Sequence, residues 1–307
     1  MTQESKPVRF QPFAIQSRAF NSDQYPGIRA GGVFVPDGYI LLNDLRSYER
    51  RVAQRELLSF AGTQKNVFHI VNAQDLTRVL LDQLKKSRIG RVPTVPVYLG
   101  EAARTVFEFV RERIAREPQK YQSLRFLAEK PVFVSASRSA KKKGVFEVRI
   151  GEIDLRWFSN SRQVLVVDDV ISSGQTIAAL KEKIMQAVGQ ELDSARSHLG
   201  TRRPEYPGAI DAANARWLAC SWLTVAPGKK HSLQTENQID GIITARLVRH
   251  SSGRIPPINS VSTFLRRDAK GSLVRRGYVG NLSSPYRFAR TLGAIRRTQR
   301  KRGRRGK

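Results

Sequence analysis

The chain has 307 residues, 40% of them hydrophobic, which is enough apolar material for a substantial core and rules out wholesale disorder. Lysine and arginine number 54 against 26 acidic residues, a formal charge of +28. Such a surface attracts polyanions, whether nucleic acid, anionic lipid or phosphorylated metabolites, and generic solubility is a poor explanation for so large an imbalance.

Residues 1–40 read as irregular, punctuated by the turn signals Pro26-Gly27, Gly31-Gly32 and Pro36-Asp37-Gly38. They lack the apolar centre of a secretory signal. A helix is predicted next, with Asn43 as N-cap, Leu45, Tyr48 and Val52 on one stripe, and Gly62 at its end. A second helix spans 72–88, with Leu76, Leu80 and Leu84 on one face and Gly90 as its stop.

From there strands and helices alternate. A short apolar strand covers 95–99, and a helix covers 105–116 with Val106, Val110 and Ile114 in line. Strand 131–134 runs into a basic loop, 137–144, and residues 145–150 and 153–158 suggest a hairpin turning at Gly151-Glu152. Residues 163–167 form a continuous apolar run, the kind that parallel sheets bury on both faces. A helix over 176–188 follows, with Ile177, Leu180, Ile184 and Val188 on one side; then comes a polar connection over 190–212, and strands at 216–225 and 241–248. Trp217 and Trp222 belong to the first of these strands and read as core.

The alternation argues for βαβ units, hence an α/β fold with a mainly parallel, doubly wound sheet. Three regions are expected: a partly helical N-terminal addition over 1–84, the α/β core over 85–250, and a basic C-terminal extension over 251–307. The last dozen residues, from Arg296, are too charged to fold alone. A single cysteine, Cys220, cannot form an internal disulfide, and no run approaches the roughly 18 apolar residues that cross a bilayer. These features describe a soluble cytoplasmic protein with no membrane partner. His69, His198, His231 and His250 are scattered without metal-ligand spacing.

The most informative stretch is Val164-Leu165-Val166-Val167-Asp168-Asp169-Val170-Ile171-Ser172-Ser173-Gly174-Gln175-Thr176. A buried strand here delivers adjacent carboxylates to the carboxyl edge of a sheet, where α/β proteins place ligands. A loop of small residues around Gly174 follows, able to wrap an anion with its N–H groups and with the helix N-terminus beyond. Ser172, Ser173 and Thr176 add hydroxyl donors. A phosphate suits the loop and sugar hydroxyls suit the two acids, so a phosphorylated ribose satisfies both. Twin acids after a strand also occur in Mg²⁺ sites of the response-regulator kind, but those acids lie on separated strands.

This stretch resembles the phosphoribosyl pyrophosphate (PRPP) signature of the type I phosphoribosyltransferases: apolar strand, Asp-Asp, two residues, hydroxyl, hydroxyl, Gly, any residue, Thr. The resemblance implies that Asp168 and Asp169 bind the ribose hydroxyls and reach Mg²⁺ indirectly through PRPP, while Ser172, Ser173, Gly174, Gln175 and Thr176 hold the 5′-phosphate. The basic segment Arg138-Ser139-Ala140-Lys141-Lys142-Lys143-Gly144 resembles the mobile catalytic loop of orotate phosphoribosyltransferase and its relatives, with Arg138, Lys141 and Gly144 on family positions and Lys143 where the family has His. The strand-to-helix turn containing Gly100 and Arg104 stands where the family keeps its pyrophosphate loop.

The likeness covers residues 85–250 and implies a type I phosphoribosyltransferase sheet. Arg138, Lys141, Asp168 and Asp169 would be catalytic; Mg²⁺ would be the cofactor and PRPP the ligand, with a nucleobase as the expected acceptor and room for a homodimer. Two functions follow. One is an enzyme that moves ribose 5-phosphate from PRPP to a nitrogen acceptor. The other is a non-catalytic regulator of the same fold that senses PRPP or nucleotide and binds RNA or DNA through its basic surface, the C-terminus above all.

Overall fold

The computed structural model describes residues 28–31, 33–34, 39–44, 68–142, 145–197, 207–225, 239–249, 258–260, 265–267 and 273–275. The chain divides into two compact units, one made of Met1–Ile15, Pro36–Ala73 and Pro256–Lys307, the other of Gln16–Val35 and Gln74–Ile255.

The described elements in chain order are β1 (Ile28–Ala30), β2 (Val33–Phe34), β3 (Tyr39–Asn43), β4 (Phe68–Asn72), α1 (Ala73–Lys86), β5 (Thr94–Leu99), α2 (Gly100–Arg116), α3 (Phe126–Glu129), β6 (Val132–Val134), β7 (Ala136–Lys142), β8 (Val145–Ile150), β9 (Gln163–Ile171), α4 (Gln175–Ser197), α5 (Pro207–Asn214), β10 (Arg216–Val225), β11 (Gly241–Val248), β12 (Ile258–Ser260), β13 (Leu265–Arg267) and β14 (Leu273–Arg275). In the smaller unit, β12, β3 and β4 form a parallel sheet and β13 and β14 an antiparallel pair.

The larger unit bears out the α/β expectation. Its sheet runs β1-β11-β10-β9-β5-β6, with β2 also on β11, and every described pairing in it is parallel. The central strand β9 is flanked by β5 (Val97 opposite Val166) and β10 (Cys220 opposite Val167). Covered on both faces, it needs the unbroken apolar run that its sequence supplies.

Helices cover the two faces of this sheet separately. On one face, Ile177, Leu180, Ile184 and Val188 of α4 pack with Val97, Val164, Val166, Trp217 and Ala219. Burying four such side chains is worth roughly 6–12 kcal/mol, far above the tenths of a kcal/mol per residue at stake in helix propensity, so burial fixes where α4 lies. On the other face, Phe107 and Phe109 of α2 meet Tyr98 and Trp222 edge-on, at 5.3 and 5.6 Å between ring centroids. Trp222 also donates its indole N–H to Thr77 of α1 at 2.9 Å. Trp217 and Trp222 are therefore core.

Five local expectations are corrected. Asn43 ends a strand and is buried; it is not a helix N-cap there, and residues 45–62, with the stripe Leu45, Tyr48 and Val52, lie outside the described residues. The basic segment over 137–144 is a strand up to Lys142: β7 pairs antiparallel with β8, Arg138 opposite Val148 and Lys142 opposite Val145, with an irregularity between Ala140 and Lys142. The hairpin is therefore made by β7 and β8, not by 145–150 and 153–158, and residues 155–158 form a single 3₁₀ turn capped by the Asp154 carboxylate, which accepts from the Arg156 N–H at 2.9 Å. Charge concealed β7, because its strand character comes from pairing with the β-branched and aromatic residues of β8.

The polar stretch over 190–212 is helix at both ends: α4 continues to Ser197, and α5 begins at Pro207, whose fixed φ suits a first helical position. Finally, β9 continues through Ile171, so Asp168 and Asp169 belong to the strand and Ser172, Ser173 and Gly174 alone separate it from α4.

Candidate functional site: the crevice between β5 and β9

The order of the strands creates the site. After β5 the chain crosses through α2 to β6, on one side; after β9 it crosses through α4 and α5 to β10, on the other. The two connections diverge, and they cover opposite faces. In open parallel sheets the divergence of neighbouring strands leaves a crevice at their carboxyl ends, and ligands bind there.

β9 reaches further into this crevice than its neighbour. Its described pairing with β5 ends at Val167, opposite Tyr98, while its pairing with β10 continues to Ile171. The edge of Asp168–Ile171 that faces β5 is thus released from the ladder. Asp168 and Asp169 are half-buried, and strand alternation sends them to opposite faces. The Asp168 carboxylate accepts from the Asp169 N–H at 2.9 Å, and the Asp169 carboxylate accepts from the Val170 N–H at 2.8 Å. Both carboxylates are therefore turned onto the backbone of their own strand, close to its carboxyl end.

The loop that follows has only three residues, Ser172, Ser173 and Gly174, between β9 and α4. Gly174 is buried and has φ +69°, a left-handed conformation that costs other L-residues about 1–2 kcal/mol. Its carbonyl accepts from the Ala178 N–H at 3.0 Å, which starts α4. Ser172 and Ser173 are half-buried beside it, and Thr176 is buried in the first turn. The Gln175 N–H approaches Ser173 Oγ at 3.5 Å.

Across the crevice, β5 ends in the same way. Gly100 has φ +81° and opens α2 directly, without a side-chain cap on its first N–H groups. Two long helices, 17 and 23 residues, therefore begin at this rim. Each brings about half a positive charge at its N-terminus. Arg104 stands one turn into α2, exposed, 3.7 Å from Glu101 and 5.1 Å from the Phe133 ring of β6, so it leans toward the outer strand and away from β9.

The base of the β7–β8 hairpin stands at the same rim. A Cβ on Gly100 would lie 3.7 Å from the Ala136 carbonyl oxygen. At the hairpin's other end, the Gly151 N–H donates to the Ser135 carbonyl at 2.8 Å and Lys183 of α4 donates to the Ile150 carbonyl at 2.8 Å. Arg138 and Lys141 belong to β7, and their side chains lie outside the described residues, as do Lys143 and Gly144 altogether. The structure thus brings Gly100, Asp168, Asp169 and the segment Ser172–Thr176 to one crevice. It roots the strand of Arg138 and Lys141 there, and it turns Arg104 aside.

Sequence reasoning missed a buried hydroxyl cluster beneath the acids. Ser221 is the register partner of Asp168 on β10, and its Oγ lies 2.9 Å from Thr224 Oγ1 and 3.2 Å from Thr244 Oγ1. Small hydroxyl residues inside apolar strands carry no pattern that marks them. Cys220, next to Ser221, is no nucleophile: burial, and then the charge of Asp168, push its thiol well above the ordinary range. Burial likewise raises Tyr98, whose hydroxyl donates to the Leu127 carbonyl at 2.9 Å.

Among the described residues no cluster of three His, Cys, Asp or Glu side chains is arranged for a metal, and no helix is long and apolar enough to cross a membrane. A concavity of about 1200 Å³ lies at the opposite end of β5 and β6 and contains none of the crevice residues.

No known protein-family profile matches the chain, and no curated protein matches it in sequence. Among solved structures, the xanthine-guanine-hypoxanthine phosphoribosyltransferase of Helicobacter pylori is similar at 14% identity and a TM-score of 0.32, over 60% of this chain and 85% of that one.

Proposed function

We propose that the crevice between β5 and β9 binds PRPP and that the chain is a phosphoribosyltransferase, moving ribose 5-phosphate to a nitrogen acceptor, a nucleobase in the first instance. The observation that carries this reading is the switch of chain direction between β5 and β9, with two acids at the tip of β9 and a helix N-terminus on either side. PRPP has the matching layout: a phosphate at one end, a diphosphate at the other, and two hydroxyls between. The segment Ser172–Thr176 would take the 5′-phosphate, Asp168 and Asp169 the ribose hydroxyls, and the N-terminus of α2 at Gly100 the diphosphate.

In the reaction the bond from ribose C1 to the diphosphate oxygen breaks, the oxygen leaves with the electron pair, and the acceptor nitrogen bonds to C1 and sheds its proton. Negative charge grows on the departing pyrophosphate while the ring gains oxocarbenium character. The protein's part is to hold C1 in line and to stabilise both charges. Arg138 and Lys141, on the strand rooted at the rim, would face the leaving group, and the two carboxylates would hold the ribose hydroxyls. Mg²⁺, carried on the diphosphate, would add charge neutralisation there. Two carboxylates, with no third ligand among the described residues, suit a Mg²⁺ held largely by substrate phosphates.

Incubation of the full chain with PRPP, Mg²⁺ and a panel of nucleobases should release pyrophosphate with at least one base. PRPP binding without release from any base would leave the site but refute the enzyme. Absence of PRPP binding would refute both.

A further inference from the structure

We propose that the opposite rim of the same sheet, at the amino ends of its strands, is a docking trench for single-stranded nucleic acid, whose phosphates meet Lys85, Lys86, Arg88 and Arg91 and whose bases reach Trp157. The inference does not depend on the PRPP reading, which concerns the other ends of the strands.

Three connections meet at this rim: those entering β5, β6 and β9. Between them lies a concavity of about 610 Å³ lined by Asp82, Lys85, Lys86, Arg88, Arg91 and Lys120. It shares Gly90, Arg91 and Ser123 with the concavity of about 1200 Å³, which adds Arg125, Lys130 and Trp157. Seven basic side chains line the combined trench against two acidic ones, Asp82 and Glu129. Lys120 is held by Asp82 at 2.9 Å, but Lys85, Lys86, Arg88 and Arg91 make no ion pair among the described residues.

Lys85 and Lys86 close α1, where the helix dipole by itself favours cations. That account stops short of Arg88 and Arg91, which lie beyond the helix. Arg88 has φ 58° and ψ 28°, a left-handed conformation that glycine or asparagine usually supplies at a helix end. An arginine held there at an energetic cost, facing a cationic hollow, is the kind of outlier that points to a ligand.

The apolar component is just as local. Only four large apolar side chains among the described residues are conspicuously exposed, and two of them, Val92 at 40% and Trp157 at 38%, line this trench. Cations tracking a backbone beside an exposed indole match the demands of a single strand, whose bases are free to stack. A duplex hides its bases, and a flat bilayer does not enter a concavity.

The test is the anisotropy of labelled oligouridylate titrated with the full chain across a salt series. The variant Lys85→Gln/Lys86→Gln/Arg88→Gln/Arg91→Gln should lose at least about tenfold in affinity and flatten the slope of log affinity against log salt by about 3, at roughly 0.7 per phosphate contact. Arg88→Gly relieves the backbone strain, so it should melt no lower than the parent yet lose about 0.7 of slope. Trp157→Ala should weaken binding about fivefold or more at unchanged slope. A correctly folded quadruple variant with parental affinity and slope would overturn the proposal, as would tighter binding of duplex than of single strand. Pyrophosphate release by the quadruple variant reads the other site separately.

Discussion

At the carboxyl ends of β5 and β9 the chain presents two carboxylates and the N–H groups of two helix starts; at the amino ends of the same strands it presents lysine and arginine. A chain carrying +28 invites the assumption that any anion will settle where the cations are densest. The comparison teaches otherwise. Backbone N–H groups carry no formal charge, but they are fixed in direction and suit one small phosphorylated ligand. Flexible cations on an open rim suit a repeated charge of indefinite length.

The comparison breaks most sharply at the acids. Asp168→Asn/Asp169→Asn removes two charged acceptors, each worth about 1.5–3 kcal/mol when bonded, so the dissociation constant for PRPP should rise at least about 100-fold by calorimetry. Oligouridylate binding by the same variant should stay at the parental value, since the trench is at the far ends of the strands. A PRPP affinity unchanged by the double substitution would remove the sugar-binding role given to the pair.

A glycine pair sharpens the point. Gly174→Ala places a Cβ at φ +69° and should lower stability by about 1–2 kcal/mol, together with roughly a tenfold loss of PRPP affinity as the loop shifts. Gly189, inside α4 with open space around it, gives the control: Gly189→Ala should raise stability by about 0.5–1 kcal/mol and leave PRPP binding alone. Equal effects from the two substitutions in thermal melts would mean that the left-handed turn carries no special strain.

Part of this was legible in the sequence because its causes are local. The run ending in Asp168-Asp169 announces a doubly covered strand, and the spacing of Ile177, Leu180, Ile184 and Val188 announces the helix that covers one face. Gly100 and Gly174 mark turns that need positive φ. Non-local causes stayed hidden. β7 is strand only because β8 pairs with it, and Asn43 ends a strand because β4 lies alongside. The direction switch between β5 and β9 is a property of strand order that no stretch of sequence contains. The trench escaped for a related reason: the basic run from Lys85 to Arg91, Lys120 and Trp157 lie on three different connections and meet only because these converge.

A smaller effect follows from Cys220, which ties the acids to the sheet interior. Burial and then the Asp168 charge raise its thiol, so the folded state keeps a proton that the unfolded chain releases above the ordinary thiol range near pH 8.5. Stability should therefore fall as pH rises past that value, with a slope of at most about 1.36 kcal/mol per pH unit from this group. Cys220→Ala should flatten that alkaline limb in urea titrations. An unchanged limb in this variant would show that other groups set it.

The smallest expected effect is at Asp82, the acid that spoils the trench. Burial works to raise its pKa, but hydrogen bonds from Lys120 and Tyr121 outweigh it and hold the carboxyl below its ordinary value. The linked stability is present above the ordinary carboxylate range and lost as pH falls through the lowered value. The pair is part-exposed, so solvent screening limits its contribution to at most about 1 kcal/mol. Asp82→Asn should therefore cost little at neutral pH, and the loss relative to the parent should vanish in acid. The same substitution leaves Lys120 only its longer contact to Glu117, at 3.7 Å, and so makes it more available to a phosphate. Oligouridylate affinity should rise severalfold and the salt slope should steepen by up to about 0.7, the reverse of what the lysine and arginine substitutions do. A gain that ignores salt would deny Lys120 a phosphate contact, and the trench would then begin at Lys85.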